Sequence, residues 1–359
     1  MSGLSGTYVI KSTPLGPRVR GLRARYLSKD KLNALLLAQT LDDALNVLKG
    51  TDYDAIVEKI GKTATEAQIT NEVKTHIVHI ISSLSRSAPA PASRVLKAYL
   101  MRFEIENIKA IARSLLQGIE RASYEELINV AVEEELGRRH VLALIMSTRD
   151  LEDLRNRLVE LNHPAAQAIN TFMRIGKQYA TYSTTLLDTL MERVFVELIL
   201  SLSHTDNTIR GFAEPLVNYY NLNIILRGKL WGLPQELVNE LLIKEGVIAS
   251  IGTKLYSESI TRVLEEAASV FPYIDQLIKV AGTSDLRTLV QYLGPFNYRF
   301  ARDLEESLIA LYTEFAPGPA LASAHLKATE GEVVIALLNS FIEGVPRDFM
   351  VKLYGPVIM

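Results

Sequence analysis

Apolar residues recur along most of this chain at intervals of three and four positions. Typical runs are Ile105, Ile108, Ile111 and Leu115, and Leu187, Leu190, Val194 and Leu198. This spacing places the apolar side chains on one face of an α-helix. The alternation that marks half-buried strands is limited to a short candidate at Thr7–Ile10. The pattern therefore predicts an all-α protein.

Glycine and proline interrupt these apolar runs at intervals. The predicted breaks are Gly16-Pro17, Ala88–Pro91, His163-Pro164, Gly232–Pro234, Gly294-Pro295, Pro317–Pro319 and Gly344–Pro346. Both residue types are unfavourable inside a helix, proline because it lacks an N–H and glycine because it is flexible. The spacing of the breaks suits helices of roughly 10 to 25 residues joined by short loops.

A weak internal repeat relates three parts of the chain. The first copy contains Glu104, Asn107, Arg113 and Gly118, and a shift of 114 residues places Asn218, Asn221, Arg227 and Gly232 on the same positions. A further shift of 112 residues reaches Glu330, Val334, Leu337 and Gly344, with Val333 and Asn339 in place of the asparagine and the arginine. Repeats of this kind indicate that one structural unit occurs several times.

The residue types in the repeat suggest what each position does. Asn107 and Ile111 are four residues apart and share a helix face, so the amide lies beside an apolar stripe and is able to cross-link a neighbouring backbone. Gly118, Gly232 and Gly344 stand where a helix is expected to stop. We expect the asparagines and arginines to fix helices in place rather than to touch a partner.

Two further elements flank each copy of the repeat. A helix opened by a good capping residue precedes it, at Thr40 with Leu41–Leu48, Asp150 with Leu151–Leu158, and Asp285 with Leu286–Leu293. A short amphipathic helix is predicted after it, at Tyr124–Ile128, Pro234–Val238 and Pro346–Met350. The common order predicts three similar helical units, residues 1–136, 137–250 and 251–359.

Composition and charge exclude several classes of function. The 359-residue chain has a net charge of −2 and a pI of about 6.4, which argues against nucleic-acid binding and against a polybasic membrane anchor. It contains no cysteine, which excludes thiolate metal sites and cysteine nucleophiles.

Met1–Ile10 does not resemble a signal peptide. The most apolar stretch, Val194–Ser203, includes Glu197, and a spanning helix needs about 20 apolar residues, so no transmembrane segment is predicted.

Candidate catalytic and metal-binding motifs are weak. Gly61-Lys62-Thr63 matches only the tail of a phosphate-binding loop, because Ile56 stands where that loop needs its first glycine. His76 and His79 supply too few ligands for a metal, and we expect them to be partly buried and hydrogen-bonded. Ser203–Asp206 contains the residue types of a catalytic triad, but adjacent residues do not form one, so a loop is predicted. No catalytic, cofactor-binding or metal-binding residue is assigned.

Two charged clusters remain. Glu133–Glu135 followed by Arg138–His140 is interpreted as a solvated helix end, with a partner-docking edge as the alternative. Arg18, Arg20, Arg23 and Arg25 lie near the start of the chain beside Val19 and Leu22. They form either the solvated face of an amphipathic helix or a contact with an acidic partner.

The repeat and several short motifs resemble the C subunits of archaeal A-type ATP synthases, a family similar to the d subunits of eukaryotic V-ATPases. The motifs are Arg18–Leu22, Leu41–Leu48, Gly50–Tyr53, Asn107–Arg113, Asn221–Lys229 and Gly232–Glu236. They occur in the family's order along nearly the whole chain. The third copy of the repeat departs from the family pattern because it lacks the asparagine and the arginine.

The resemblance implies three similar helical domains around a pseudo-threefold axis, forming a funnel. It implies a non-catalytic central-stalk component without cofactors, bound peripherally at the cytoplasmic side of the membrane. Such a component links the shaft, made of the D and F subunits, to the proteolipid ring and transmits torque between ion transport and ATP synthesis or hydrolysis. The alternatives are a generic helical scaffold that binds other proteins and an all-α enzyme whose site is assembled from distant residues.

Overall fold

The computed structural model describes residues 15–61, 64–119, 124–269, 271–282 and 284–358. Its α-helices are α1 (Leu15–Arg23), α2 (Lys29–Leu37), α3 (Leu41–Leu48), α4 (Asp54–Val57), α5 (Glu66–Ser87), α6 (Ala90–Gln117), α7 (Val130–Leu136), α8 (Arg139–Met146), α9 (Leu151–Glu160), α10 (Ala165–Ile175), α11 (Ser183–Ser203), α12 (Asn207–Trp231), α13 (Gln235–Leu241), α14 (Val247–Ser257), α15 (Ile260–Ala268), α16 (Asp275–Ala281), α17 (Leu286–Tyr312), α18 (Pro317–Ile342) and α19 (Arg347–Ile358).

Three short 3₁₀ turns, Glu125–Leu127, Ala180–Tyr182 and Pro272–Ile274, complete the secondary structure. Within these ranges there is no β-strand, so the all-α prediction is confirmed. The strand candidate Thr7–Ile10 lies outside the described residues.

Six long helices form the body of the molecule, and we call them the six-helix bundle. They are three consecutive pairs, α5 with α6, α11 with α12, and α17 with α18. The second helix of each pair also packs against the first helix of the next pair, and α18 returns to pack against α5. The contacts therefore close into a cycle. The division into three domains and the funnel shape stay predictions.

Helix α18 lies at the centre of this bundle. It contacts α6 and α12 as well as α17 and α5, and nearly every residue from Pro317 to Val334 is buried. Its start packs very closely on α12, because a Cβ at Gly318 would stand 2.0 Å from the carbonyl oxygen of Thr208. Only glycine fits at this contact, and the Gly318 N–H donates to the Thr208 hydroxyl at 3.0 Å.

The predicted helix ends agree with the structure. Thr40, Asp150 and Asp285 each accept a hydrogen bond from the backbone N–H three residues later, as N-caps do. The three repeat glycines follow the ends of α6, α12 and α18 with positive φ values, 66° at Gly118, 62° at Gly232 and 65° at Gly344. This left-handed conformation closes the last turn and favours glycine.

Some predicted boundaries are wrong. Gly294-Pro295 lies inside α17, so the helix that was expected to end near Leu293 continues to Tyr312. Large buried side chains on both sides of the proline, including Tyr292 and Phe296, explain this. Burying each side chain contributes about 2 kcal/mol, and the two together outweigh the roughly 3 kcal/mol that a proline costs inside a helix.

Two other expectations on helix extent also differ. Gly16-Pro17 falls in the first turn of α1, where proline is tolerated, rather than between helices. The segment Tyr124–Ile128 forms a 3₁₀ turn instead of a short α-helix. The other predicted breaks lie at helix boundaries.

None of the helices in the described part of the chain combines the length and the apolar character that crossing a lipid bilayer requires.

Candidate functional site

The two repeat asparagines make the same pair of hydrogen bonds. Asn107 Nδ2 donates to the Asn129 carbonyl at 2.9 Å, and the Asn129 N–H donates back to Asn107 Oδ1 at 2.9 Å. Asn221 makes the same exchange with the backbone of Ile243, at 3.0 and 2.9 Å. Each backbone partner lies 22 residues after its asparagine. Val333, at this position of the third copy, is buried and has no side-chain amide.

The two repeat arginines both pair with helix α11. Arg113 on α6 binds Asp188 through two nitrogens, and Arg227 on α12 lies 3.6 Å from a carboxylate oxygen of Glu192. In the third copy Asn339 donates to the Thr70 hydroxyl at 3.2 Å. The arginines thus connect α11 to its neighbours on both sides. A purely structural role for these positions stays a prediction.

A second repeat position, polar in all three copies, contacts the start of another helix. Asn218 Oδ1 accepts the Ile248 N–H at 3.0 Å, at the start of α14. Glu330 accepts the Leu27 N–H at 2.7 Å, just before α2. Glu104 lies 3.2 Å from Nε of Arg138, just before α8. In each copy the polar side chain on the long helix contacts a residue at or just before the start of another helix. The sequence aligns Glu104, Asn218 and Glu330 but does not predict this role; their shared polarity among apolar neighbours is the signal that could have indicated it.

The contact at Glu330 joins the two ends of the chain. Glu330 also accepts the Tyr53 hydroxyl at 2.9 Å and the Lys327 ammonium at 2.7 Å. Lys327, whose side chain is fully buried, reaches Asp52 at 3.0 Å. Burial opposes ionisation of Asp52, but the His76 hydrogen bond and the Lys327 ammonium hold its pKa at about 2. Buried ion pairs therefore tie the N-terminal segment, residues 15–60, to α18.

A cavity of about 310 Å³ opens between five helices of the six-helix bundle. Its wall is lined by Arg102, Ile105, Glu106, Lys109, Asp188, Met191, Glu192, Phe195, Val196, Leu216, Tyr219, Tyr220, Arg227, Asn297 and His325. We call it the central cavity. It combines an apolar and aromatic band with charges of both signs.

The carboxylates of this wall are held by cations. Burial disfavours the charge on Glu106, yet Lys74, Arg102 and Lys109 together lower its pKa to about 2. Lys74 Nζ lies 2.6 Å from a Glu106 oxygen. A carboxylate with such a low pKa stays ionised and is a poor proton acceptor near neutral pH. These charges suit recognition of another molecule better than acid–base chemistry.

The basic cluster near the start of the chain makes contacts within the chain. Arg20 lies 3.1 Å from Glu314, and Arg23 lies 3.1 Å from the buried Glu305. Arg25 lies 3.8 Å from Asp52, and Arg18 is exposed in α1. The contact of Arg18, Arg20, Arg23 and Arg25 with a partner stays a prediction.

The interpretation of Glu133–Glu135 as a solvated helix end is wrong for Glu133. That side chain is buried, because α7 packs against α5 and α6. Burial and the neighbouring Glu104 raise the pKa of Glu133 to about 8. Arg138 faces the buried Glu104 instead of solvent, whereas Glu134 and Arg139 form the exposed ion pair that was expected.

The remaining weak motifs have structural roles in the described residues. His76 is partly buried, as expected, and lies 3.0 Å from Asp52. His79 is exposed, contrary to expectation, and lies 2.8 Å from Glu135, so the two histidines bind different carboxylates. No group of three or more potential metal ligands occurs in the described ranges. Asp206 caps α12, which agrees with a loop at Ser203–Asp206. Lys62 and Thr63 lie outside the described residues.

Comparison with known proteins identifies the family. The family model described as ATP synthase (C/AC39) subunit matches residues 15–353. The C subunit of the A-type ATP synthase of Methanocaldococcus jannaschii is 22% identical over 69% of this chain and 67% of its own length. The corresponding C subunits of Pyrococcus horikoshii and Thermococcus kodakarensis are 24% identical (73% of this chain, 70% of theirs) and 20% identical (88% and 89%). The chain belongs to the ATP synthase (C/AC39) subunit family, together with the C subunits of A-type ATP synthases.

Proposed function

We propose that this protein is the non-catalytic adaptor of the rotor. It seats the end of the central shaft, made of the D and F subunits, on the membrane proteolipid ring at the cytoplasmic side. It thereby carries torque between ion transport and ATP synthesis or hydrolysis. The observation that carries the proposal is the closed six-helix bundle with a charged cavity between five of its helices, in a chain of this family.

Closure of the bundle supports a mechanical role. A part that transmits torque has to resist shear, and a chain of units that is open at one end would flex at that end. Here the last long helix packs against the first, and the buried cluster of Lys327, Glu330 and Asp52 fastens the junction. Burial on all sides of α18 adds stiffness, because close-packed interiors deform little.

The size and charge of the central cavity make it a suitable binding site for the end of the shaft. A volume of about 310 Å³ is too small for a whole helix, which is about 10 Å wide, but it admits the tip of one. Its mixed charges favour a polar partner of matching pattern, because complementary charge mainly sets specificity and association rate. We propose that the shaft tip enters this cavity and that another face of the protein rests on the proteolipid ring.

Native mass spectrometry of this chain mixed with D and F from the same source tests the proposal. We expect a 1:1:1 complex and no ATPase activity from this chain alone. A Lys109→Glu variant in the cavity should reduce the complex, whereas Lys177→Glu, at an exposed position just after α10, should not. Absence of the complex at micromolar concentration would favour the generic helical scaffold, and ATPase activity of the chain alone would favour the enzyme.

A further inference from the structure

A groove of about 280 Å³ lies between α1, the residues just after it, and the last turns of α5. We call it the basic groove, and it is lined by Pro17, Arg18, Gly21, Leu22, Arg25, Ile80, Ser83 and Leu84. Both of its charged residues are cations, whereas the wall of the central cavity combines charges of both signs. The two share no lining residue, so the basic groove is separate from the proposed seat of the shaft.

The four arginines near the start of the chain divide into two pairs. Arg20 and Arg23 bind carboxylates of the same chain, Glu314 and Glu305, and do not line the groove. The other two arginines line it. The first of them, Arg18, is exposed and makes no ion pair within the part of the chain that the structure describes.

The second groove arginine, Arg25, is only weakly paired. Its side chain is 62% exposed and lies 3.8 Å from an oxygen of Asp52. That carboxylate is already bound by Lys327 and His76, each at 3.0 Å. An exposed guanidinium has five N–H donors, so Arg25 has donors left for a further carboxylate.

A glycine and several apolar residues make the space between these arginines a recess. Gly21 has no side chain, and a Cβ there would meet no atom within 4 Å. Leu22, Ile80 and Leu84 supply apolar surface beside it. A volume of about 280 Å³ is too small for a whole helix, which is about 10 Å wide, but it has room for side chains of a bound segment.

We propose that the basic groove binds an acidic segment of another ATP synthase subunit, with one carboxylate on Arg18, a second on Arg25 and an apolar side chain in the recess. Charge complementarity favours this occupant, because the wall offers two cations and no carboxylate. Residues 1–14 of the chain itself contain Lys11 and no acidic residue, so they do not supply the carboxylates. A flat anionic membrane would attract the arginines but would leave the apolar recess unfilled.

Carbodiimide cross-linking of the assembled ATP synthase tests the proposal. In a complex that carries Arg18→Lys, the reagent joins the introduced amine through an amide bond to a carboxylate in contact with it. We expect a link from position 18 to an aspartate or glutamate of another subunit, with a yield that falls as salt is raised. Arg149→Lys, at an exposed position outside the groove, is the control and should give no link to that segment.

A second variant separates the shape of the groove from its charge. Gly21→Leu, added to Arg18→Lys, fills the recess and keeps both cations. We expect about tenfold less cross-link at an unchanged melting temperature, because residue 21 is exposed and has open space around it. Gly21→Ala should keep most of the yield.

Three results would overturn the inference and leave the proposed seat of the shaft unaffected. They are the absence of a link to another subunit, a yield that Gly21→Leu does not lower, and evidence that a membrane is the occupant. For the last, the probe is a vesicle of phosphatidylcholine and phosphatidylglycerol. Vesicle binding that Arg18→Glu abolishes, without a cross-link to any subunit, would assign the groove to anionic lipid.

Discussion

At the scale of single residues, the repeat asparagines form hydrogen bonds to buried backbone groups. Asn221 exchanges two hydrogen bonds with Ile243, and both groups are buried. Removing an amide from such a pair leaves a buried N–H and a buried carbonyl unpaired, and each costs about 1–3 kcal/mol.

We predict that Asn221→Ala and Asn107→Ala each lower the free energy of unfolding by about 2–3 kcal/mol, measured by urea denaturation. Asn156→Ala, at an exposed position on α9, is the control and should stay within about 0.5 kcal/mol of the parent. If a repeat variant kept its melting temperature but no longer bound D and F, these residues would contact a partner instead.

Glu133 gives stability a pH dependence of its own. Its pKa is about 8 in the folded chain against an ordinary value of 4.5, so the folded state binds this proton more tightly than the unfolded state. The stability that this bound proton contributes to the folded state is fully present below pH 4.5 and is lost as pH rises through about 8.

We predict that Glu133→Gln reduces the fall in the free energy of unfolding with rising pH. Above pH 8 the variant should be more stable than the parent by on the order of 1–3 kcal/mol. Thermal unfolding between pH 5 and pH 9 measures it. Glu134→Gln, whose side chain is 42% exposed, serves as the control. A parent curve that is flat between pH 5 and pH 9 would contradict the assignment.

The sequence could predict that these asparagines lie beside an apolar stripe, because four-residue spacing fixes the helix face. It could not predict burial of Glu133. The charge run Glu133–Arg138 has the composition of a solvated helix end, and only the packing of α7 on two longer helices decides which carboxylate turns inward.

At the scale of elements, local signals located most helix ends correctly. Caps and glycine stops act within one turn of helix, so a single sequence contains them. The exceptions are Gly16-Pro17, the segment Tyr124–Ile128 and Gly294-Pro295. At Gly294-Pro295, burial of aromatic residues on both sides outweighs the local preference. Such burial depends on α18 and α12, which lie elsewhere in the sequence.

Two glycines with opposite roles test this explanation. Gly232 ends α12 at a φ of 62°, and alanine there should cost about 1 kcal/mol. Gly21 lies on an exposed face inside α1, and a Cβ there would meet no atom within 4 Å, so Gly21→Ala should stabilise the protein by about 0.5–1 kcal/mol. Urea denaturation of both variants measures the difference, and equal effects of the same sign would contradict the account.

At the scale of the whole molecule, side-chain contacts join the N-terminal segment, residues 15–60, to α18. Glu330 binds the Leu27 N–H, the Tyr53 hydroxyl and Lys327, so its loss leaves several buried groups unpaired at one junction. The period of the repeat indicated three units. It did not indicate that the backbone at Leu27 binds α18, because Leu27 and Glu330 are about 300 residues apart in sequence.

We predict that Glu330→Ala destabilises the protein by about 3 kcal/mol and selectively speeds hydrogen exchange in residues 15–60. Hydrogen–deuterium exchange with mass spectrometry locates the effect. Glu343→Ala, at an exposed position just after α18, should leave exchange unchanged. Uniformly faster exchange along the chain would mean that Glu330 supports the whole core rather than the junction.

The proposed seat of the rotor shaft in the central cavity is open to a direct test. The chain contains no cysteine, so one introduced cysteine gives a unique attachment point for a photoactivated cross-linker. The measurement compares Lys109→Cys in the cavity with Glu160→Cys on the outer surface, each mixed with D and F. A shaft seated in the cavity should give cross-links to D or F from position 109 and none from position 160. Cross-links from position 160 alone would mean that the shaft binds elsewhere.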